Sequence, residues 1–365
     1  MNQEVQRKLL YKQEQLPIFQ NRMYKTEDQA KACPKGDVEL VENQQTGLVY
    51  NAAFRPELMD YDAHYQNEQA LSPLFQEHLE SVSRIIDRCM GRDSIVEVGC
   101  GKGFFLEMLL AKGFDVTGFD PTYEGSNSRV MKHYFEPGVG VKAGGLVLRH
   151  VLEHVLDPFK FLLQLKEANG GSGKIYIEVP CFDWICKHRA WFDIFYEHVN
   201  YFRISDFFRM FGTVFESGRL FGNQYIFVVA ELATLREPEI NLSDCVIFPK
   251  DFTHGITKPI QIETNRTKWG QTESSQIAIW GGASKGVIFS LLKARVGQSI
   301  GTVIDINPAK QGNYLPATGL LIQSPSEALE TLPVGSTIYV MNSNYLEEIK
   351  SMSNNAFKYI VVDHG

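Results

Sequence analysis

Between Ser94 and Leu232, short apolar runs alternate with amphipathic stretches. "SIVEVG", "DVTGFD", "LVLRH" and "KIYIEVP" have the texture of buried strands. Between them lie the helical periods "GFFLEMLLAKG", a segment near Ser126–His133, and "DPFKFLLQLKEAN". Such alternation predicts a parallel sheet with helices on both faces. Two further runs, "TVFESGRL" and "QYIFVVAEL", lie close enough to pair as a hairpin and close that sheet near Leu232. The pattern restarts at "QIAIW", followed by the turn "GGASKG", the helix "VIFSLLKAR", the strand "GTVIDI" and then "SPSEALETL", "STIYVMN", "YLEEIKSM" and "YIVVD". The first 92 residues differ in texture. They comprise a polar lead-in, β-like pieces in "GDVELVE" and "TGLVYN", and an aromatic, amide-rich stretch that turns helical by about Ser72. The pattern therefore predicts an α/β chain in four parts: a small module over 1–92, a Rossmann-like domain over 93–232, a polar linker over 233–275, and a second Rossmann-like domain over 276–365. Pro238, Pro249 and Pro259 mark the linker, whose one helix Gly255 and Pro259 interrupt.

Composition narrows the partners. With 365 residues, 44% of them hydrophobic and 22% charged, the chain is long enough for two or three cores. The net charge of −7 and the lack of a Lys/Arg stripe disfavour nucleic acid. The N-terminus has no leader-like apolar run and no stretch is apolar enough to cross a membrane, so a cytoplasmic protein acting on a small molecule is expected. The six cysteines are scattered without a disulfide pattern or a C-x-x-C pair, which suits a reducing compartment. No metal ligand set stands out.

The chemistry begins at "VEVGCGKGFF". Gly99, Gly101 and Gly103 join a strand to a helix, where backbone turns tightly and unpaired N–H groups face a ligand. The next strand ends in Asp120, whose carboxylate suits a pair of ribose hydroxyls. Glu97 precedes the loop and favours a cationic or amino-bearing ligand over a pyrophosphate. This loop resembles the first motif of the class I S-adenosylmethionine (SAM)-dependent methyltransferases, whose sheet likewise ends in an antiparallel hairpin. The resemblance implies that Glu97, Gly99, Cys100 and Gly101 line the methionine part of SAM and that Asp120 holds the ribose. It also implies that Arg149 and His150, where the fourth strand ends, lie over the sulfonium. His150 is then a base, a cofactor neighbour or a group that polarises an oxygen, whereas Glu153 and His154 suit capping and packing. Where many relatives carry an acid near the adenine, this chain has Gly144 and Gly145.

The segment "FDIFYEHVNYF" packs Asp193, Glu197 and His198 among aromatic rings just after the fifth strand, whose end faces the ligand crevice. Together with "YQNEQALSPLFQEHL" and "WGGASKG…DINPAKQGNYLP", it resembles the three-domain nucleotide-sugar C-methyltransferases. That family has a zinc module, a SAM domain and a Rossmann-like domain closing over the sugar. A Tyr-His-Glu-His run carries the family's chemistry. Here the run is Phe195, Tyr196, Glu197 and His198, so Glu and His are kept and the other two differ. The resemblance implies that His198 removes a proton beside a sugar ketone, that Glu197 orients it, and that Tyr196 touches the sugar, with Tyr65 on the cleft's third side. Zinc is not expected, because Cys33 is the only cysteine before Cys89. Gly281, Gly282, Gly286 and Asp305 suit a wall of the substrate cleft, with Lys285 near a phosphate. O-methylation of a sugar or other small acceptor and a non-catalytic SAM-binding role are the alternatives to C-methylation.

Overall fold

The protein is described by a computed structural model over residues 6–59, 70–240, 244–260, 264–266, 272–274, 276–333 and 335–364. Its centre is a seven-stranded sheet. From one edge to the other, the strands are Val214–Leu220, Tyr225–Glu231, Lys174–Pro180, Gly145–Arg149, Ile95–Val98, Val116–Phe119 and Val130–Met131. The five strands from Lys174–Pro180 onward run parallel, and the hairpin adds two antiparallel ones. The central strands are apolar on both faces, as a sheet covered by helices requires. Helix Pro73–Met90 starts where Ser72 accepts a hydrogen bond from the Phe75 amide. Helix Phe104–Ala111 follows the glycine loop directly, and Asp157 caps Pro158–Ala168 by accepting from the Lys160 amide.

The C-terminal half is a second parallel sheet, in the order Ile322–Gln323, Thr302–Ile304, Ile277–Trp280, Thr337–Val340, Lys358–Val361. Helix Lys285–Arg295 follows the turn at Gly281 and Gly282. Between the two halves the expected interrupted helix is a single turn, His254–Thr257. The buried Lys293 ammonium donates to the carbonyls of Gly255, Ile256 and Lys258 there, so orphan acceptors at a helix end are met by a lysine.

Two segments depart from the pattern. Arg7–Pro17, which the sequence presents as a polar lead-in, is a long edge strand paired antiparallel with Lys35–Asn43. Register shifts between Leu9 and Tyr11 and between Gln13 and Leu16 break the alternation that would have revealed it, and its outer face is charged as edge strands often are. The expected helix near Ser126–His133 is a loop ending in the strand Val130–Met131. There the Asn127 side chain accepts from the Arg129 amide, a local turn that competes with helical hydrogen bonding.

The N-terminal sheet takes its fourth strand from elsewhere. Its order is Arg7–Pro17, Lys35–Asn43, Val49–Asn51 and then Asn200–Tyr201, the continuation of the aromatic segment after the fifth central strand. That segment thus lies between the central domain and the N-terminal module.

Candidate active site

A cavity of about 390 Å³ opens at the strand ends of both parallel sheets. The loop after Ile95–Val98 contributes Glu97, Gly99, Cys100 and Gly101. The end of Gly145–Arg149 contributes Arg149 and His150, and the aromatic segment contributes Asp193, Phe195 and His198. The C-terminal half supplies Ser284, Lys285, Asp305, Asn307 and Lys310. Gly101 has φ of +54°, and a Cβ there would meet open space, so the backbone can approach a ligand closely at this point. Glu97 is 3% exposed and its Oε2 has no hydrogen-bond partner. Burial pushes its carboxyl up to about 7, against the pull of Arg149 and aided by Asp120. A buried, unmet carboxylate beside an open glycine turn fits the ammonium of an amino acid moiety.

Asp120 is absent from this lining. Its Oδ2 accepts from the Gly101 amide at 2.8 Å, and its Oδ1 accepts from the amide and hydroxyl of Thr122. It holds the shape of the loop from behind.

The aromatic segment divides. His198 is half-buried and faces the cavity, with its ring 4.8 Å from that of Phe195 and 4.9 Å from that of His154. Burial, and then His154 and His150, push its imidazole well below the usual histidine range, so it is neutral. Tyr196 and Glu197 point the other way. The Tyr196 hydroxyl accepts from the Arg55 amide at 3.0 Å beneath the N-terminal module, and Glu197 Oε1 accepts from the Gln20 amide at 3.1 Å. Neither lines the cavity, and the chain bends at these two positions. Both residues fasten the segment to the N-terminal module, whereas the sequence leads one to expect Tyr196 at the substrate and Glu197 beside the His198 ring. Tyr65 lies outside the described residues.

His150 sits at φ +52°, a costly backbone for a non-glycine residue, which aims its ring between two carboxylates. Nδ1 is 3.2 Å from Glu153 Oε1. Nε2 is 3.2 Å from Glu178 Oε1, a charge contact without hydrogen-bond alignment. Burial alone would lower its pKa, but the contacts with Glu153 and Glu178 outweigh it and lift it to about 9. His150 is thus an imidazolium near neutrality, and of the roles open to it only the polarising one suits that charge.

Glu178 is the hub that sequence reading passes over. It is fully buried, and its Oε1 meets His78 Nε2 and Arg149 Nη2, each at 3.1 Å, besides His150. Tyr176 donates to its Oε2 at 2.8 Å. Burial would raise its pKa, yet Arg149, His150 and His78 together hold it well below the usual carboxylate range. Its signal was a lone acid inside the otherwise apolar "KIYIEVP". Glu153 and His154, for which the sequence makes capping and packing at least as expected as chemistry, both line the cavity from the short turn Leu152–His154. In the C-terminal wall, Lys285 pairs with Asp193 at 3.1 Å, donates to Gln224 at 2.8 Å and lies over the Trp184 ring. Asp305 accepts from the Gly282 amide and meets Lys310.

Residues 62–213 match the family model of a methyltransferase domain, and residues 233–359 match that of a C-methyltransferase C-terminal domain. The chain is 24% identical over 332 residues to the C-methyltransferase NovU of Streptomyces niveus, spanning 78% of this chain and 76% of that protein. Among solved structures, the PH0226 protein of Pyrococcus horikoshii OT3 is 12% identical with a TM-score of 0.36, over 49% of this chain and 100% of that one. The 1,6-didemethyltoxoflavin-N1-methyltransferase of Burkholderia thailandensis, solved with its acceptor and S-adenosylhomocysteine, is 15% identical with a TM-score of 0.33, over 44% and 80%. Among the described residues no helix is long and apolar enough to cross a membrane.

Proposed function

We propose that this chain, a SAM-dependent methyltransferase by its matched domains, methylates a carbon of a nucleotide-linked ketosugar with His198 as the base. The observation that carries the reading is the single cavity, which the glycine loop, His198 and the C-terminal crevice all line. SAM is the cofactor, and when bound it supplies an electrophilic methyl group on a sulfonium. Glu97 and the backbone of Gly99–Gly101 would hold its amino acid end. Arg149, packed over the Phe105 ring at 4.7 Å, would wall that subsite.

A C–H bond is no nucleophile until its proton is removed, and a neighbouring ketone makes that removal possible. His198 is neutral and takes the proton, while the electron pair moves through the carbon onto the ketone oxygen. An imidazole of depressed pKa is a weak base by itself. The imidazolium of His150, fixed between Glu153 and Glu178, compensates by meeting the charge that develops on that oxygen. This pairing of a neutral and a charged histidine favours carbon over oxygen as the acceptor, since an O-methyl transfer builds no enolate for the cation to meet. Lys285 and Lys310 would face the diphosphate, and Asp193 would keep Lys285 aimed. Six free cysteines suit a cytoplasmic setting.

The test is incubation with SAM and a panel of nucleotide-linked ketosugars, with mass spectrometry and NMR locating the methyl group. In deuterated water without SAM, a competent substrate exchanges the proton on the target carbon. His198→Ala loses exchange and transfer while keeping SAM affinity. A methyl group found on oxygen, or turnover unchanged in His198→Ala, overturns the reading.

A further inference from the structure

The cavity wall carries a donor set that the methyl-transfer reading uses only in part, through His198 as base and Glu153 as the support of His150. Glu153 and His154 come from the turn Leu152–His154, and His198 comes from the aromatic segment. One ligand atom of each lies within 4.8 Å of the other two. Glu153 is 1% exposed; its Oε1 is engaged by His150, but its buried Oε2 has no hydrogen-bond partner among the described residues. An unmet carboxylate oxygen in such surroundings is costly unless a cation faces it.

His154 is oriented as a metal-ligating histidine is. His154 Nδ1 lies 2.9 Å from the Glu197 carbonyl oxygen. A carbonyl only accepts, so Nδ1 bears a proton, and Nε2 is the nitrogen through which the neutral ring would coordinate. An N–H to backbone carbonyl bond of this kind, made by the ring nitrogen that does not coordinate, fixes ring orientation in metal sites. The two segments are also fastened to each other by Asn200 Nδ2, which donates to the Val155 carbonyl at 2.5 Å. The His154 and His198 rings meet nearly edge to face, at 83°.

We propose that Glu153, His154 and His198 bind one divalent first-row transition-metal ion, and that its binding and the proton-abstracting role of His198 exclude each other. Two imidazoles and one carboxylate with a position left open on the cavity side suit Zn²⁺. Bonds of about 2.0–2.2 Å need the donors to close by about 1 Å, which rotation of the His198 side chain supplies. The second half of the proposal rests on His198 being the base; the binding half does not.

The experiment uses the full chain, stripped with a chelator. Zn²⁺ affinity is measured by competition with a chromophoric chelator, and coordination by the visible spectrum of Co²⁺. One equivalent binds in the wild type. His154→Asn, His198→Asn and Glu153→Gln each weaken binding at least about tenfold, whereas His133→Asn and His254→Asn, both exposed and distant in sequence, do not. Circular dichroism checks folding, and three independent variants keep the test decisive if one fails. Absence of a tight equivalent, or equal affinity in all three variants, overturns the site. Zn²⁺ is further expected to inhibit methyl transfer, reversed by chelator. Tight binding at these residues with undiminished turnover overturns the exclusion, and with it the role of His198 as base, while leaving the metal site standing.

Discussion

Replacing Glu97 with glutamine isolates the energetics of the cofactor's amino acid end. Burial lifts the carboxyl from 4.5 to about 7, so ionising it in the empty cavity costs about 3 kcal/mol at 1.36 kcal/mol per unit. Its folded pKa is raised above the unfolded one. The empty protein therefore loses that much stability as pH climbs from about 4.5 through 7, where the unfolded chain has released a proton that the folded one still holds. An ammonium placed at the unmet Oε2 recovers part of the cost by pairing with the ionised form. SAM affinity should then rise roughly tenfold between about pH 6 and pH 8, following the ionised fraction. Glu97→Gln should bind about 10- to 100-fold more weakly at pH 8 and lose the slope. Because the ligand's own amino group titrates in a similar range, the variant measured at each pH provides the subtraction. Isothermal calorimetry with S-adenosylhomocysteine gives both numbers. If Glu97→Gln binds as tightly as wild type with the same pH slope, the ammonium is not at this carboxylate.

Two other substitutions probe the supports. Glu178→Gln leaves His78, Arg149 and His150 without their shared anion; breaking a buried pair costs about 3–5 kcal/mol, or roughly 10 °C in the melting temperature of the central domain. Calorimetry reads it, and an unchanged midpoint would mean that the hub is not holding these cations. Tyr196→Phe removes one buried hydrogen bond to the Arg55 amide, and about 1 kcal/mol of stability with it. Its turnover should equal wild type in a saturating methyl-transfer assay, and a large drop in kcat would return Tyr196 to the substrate.

The two parallel sheets were legible because buried strands and amphipathic helices alternate with sharp glycine turns, and "VEVGCGKG" carried its chemistry in the open. The edge strand Arg7–Pro17 was not, since two register shifts scramble its alternation. Within the site, adjacency in sequence misled. Tyr196, Glu197 and His198 are consecutive, yet a bend at Tyr196 and Glu197 leaves the middle one on the Gln20 amide and the last in the cavity. Asp120 has the expected place at the end of its strand, and its oxygens also brace the Gly101 amide and Thr122, which no local pattern announces. Glu178 and His78 are 100 residues apart, so no local pattern announces their meeting; only the fold does.

The borrowed strand Asn200–Tyr201 changes what can be removed from this molecule. A chain begun at residue 70 would keep the whole glycine loop and so should still retain cofactor. It would, however, strip Asn200–Tyr201 of the Val49–Asn51 ladder and Glu197 of its anchor at Gln20, leaving His198 on an arm held from the central-domain side by Val155 and His154. Such a truncation would separate holding the methyl donor from using it, which explains why a module without a family-like set of cysteines is still worth keeping.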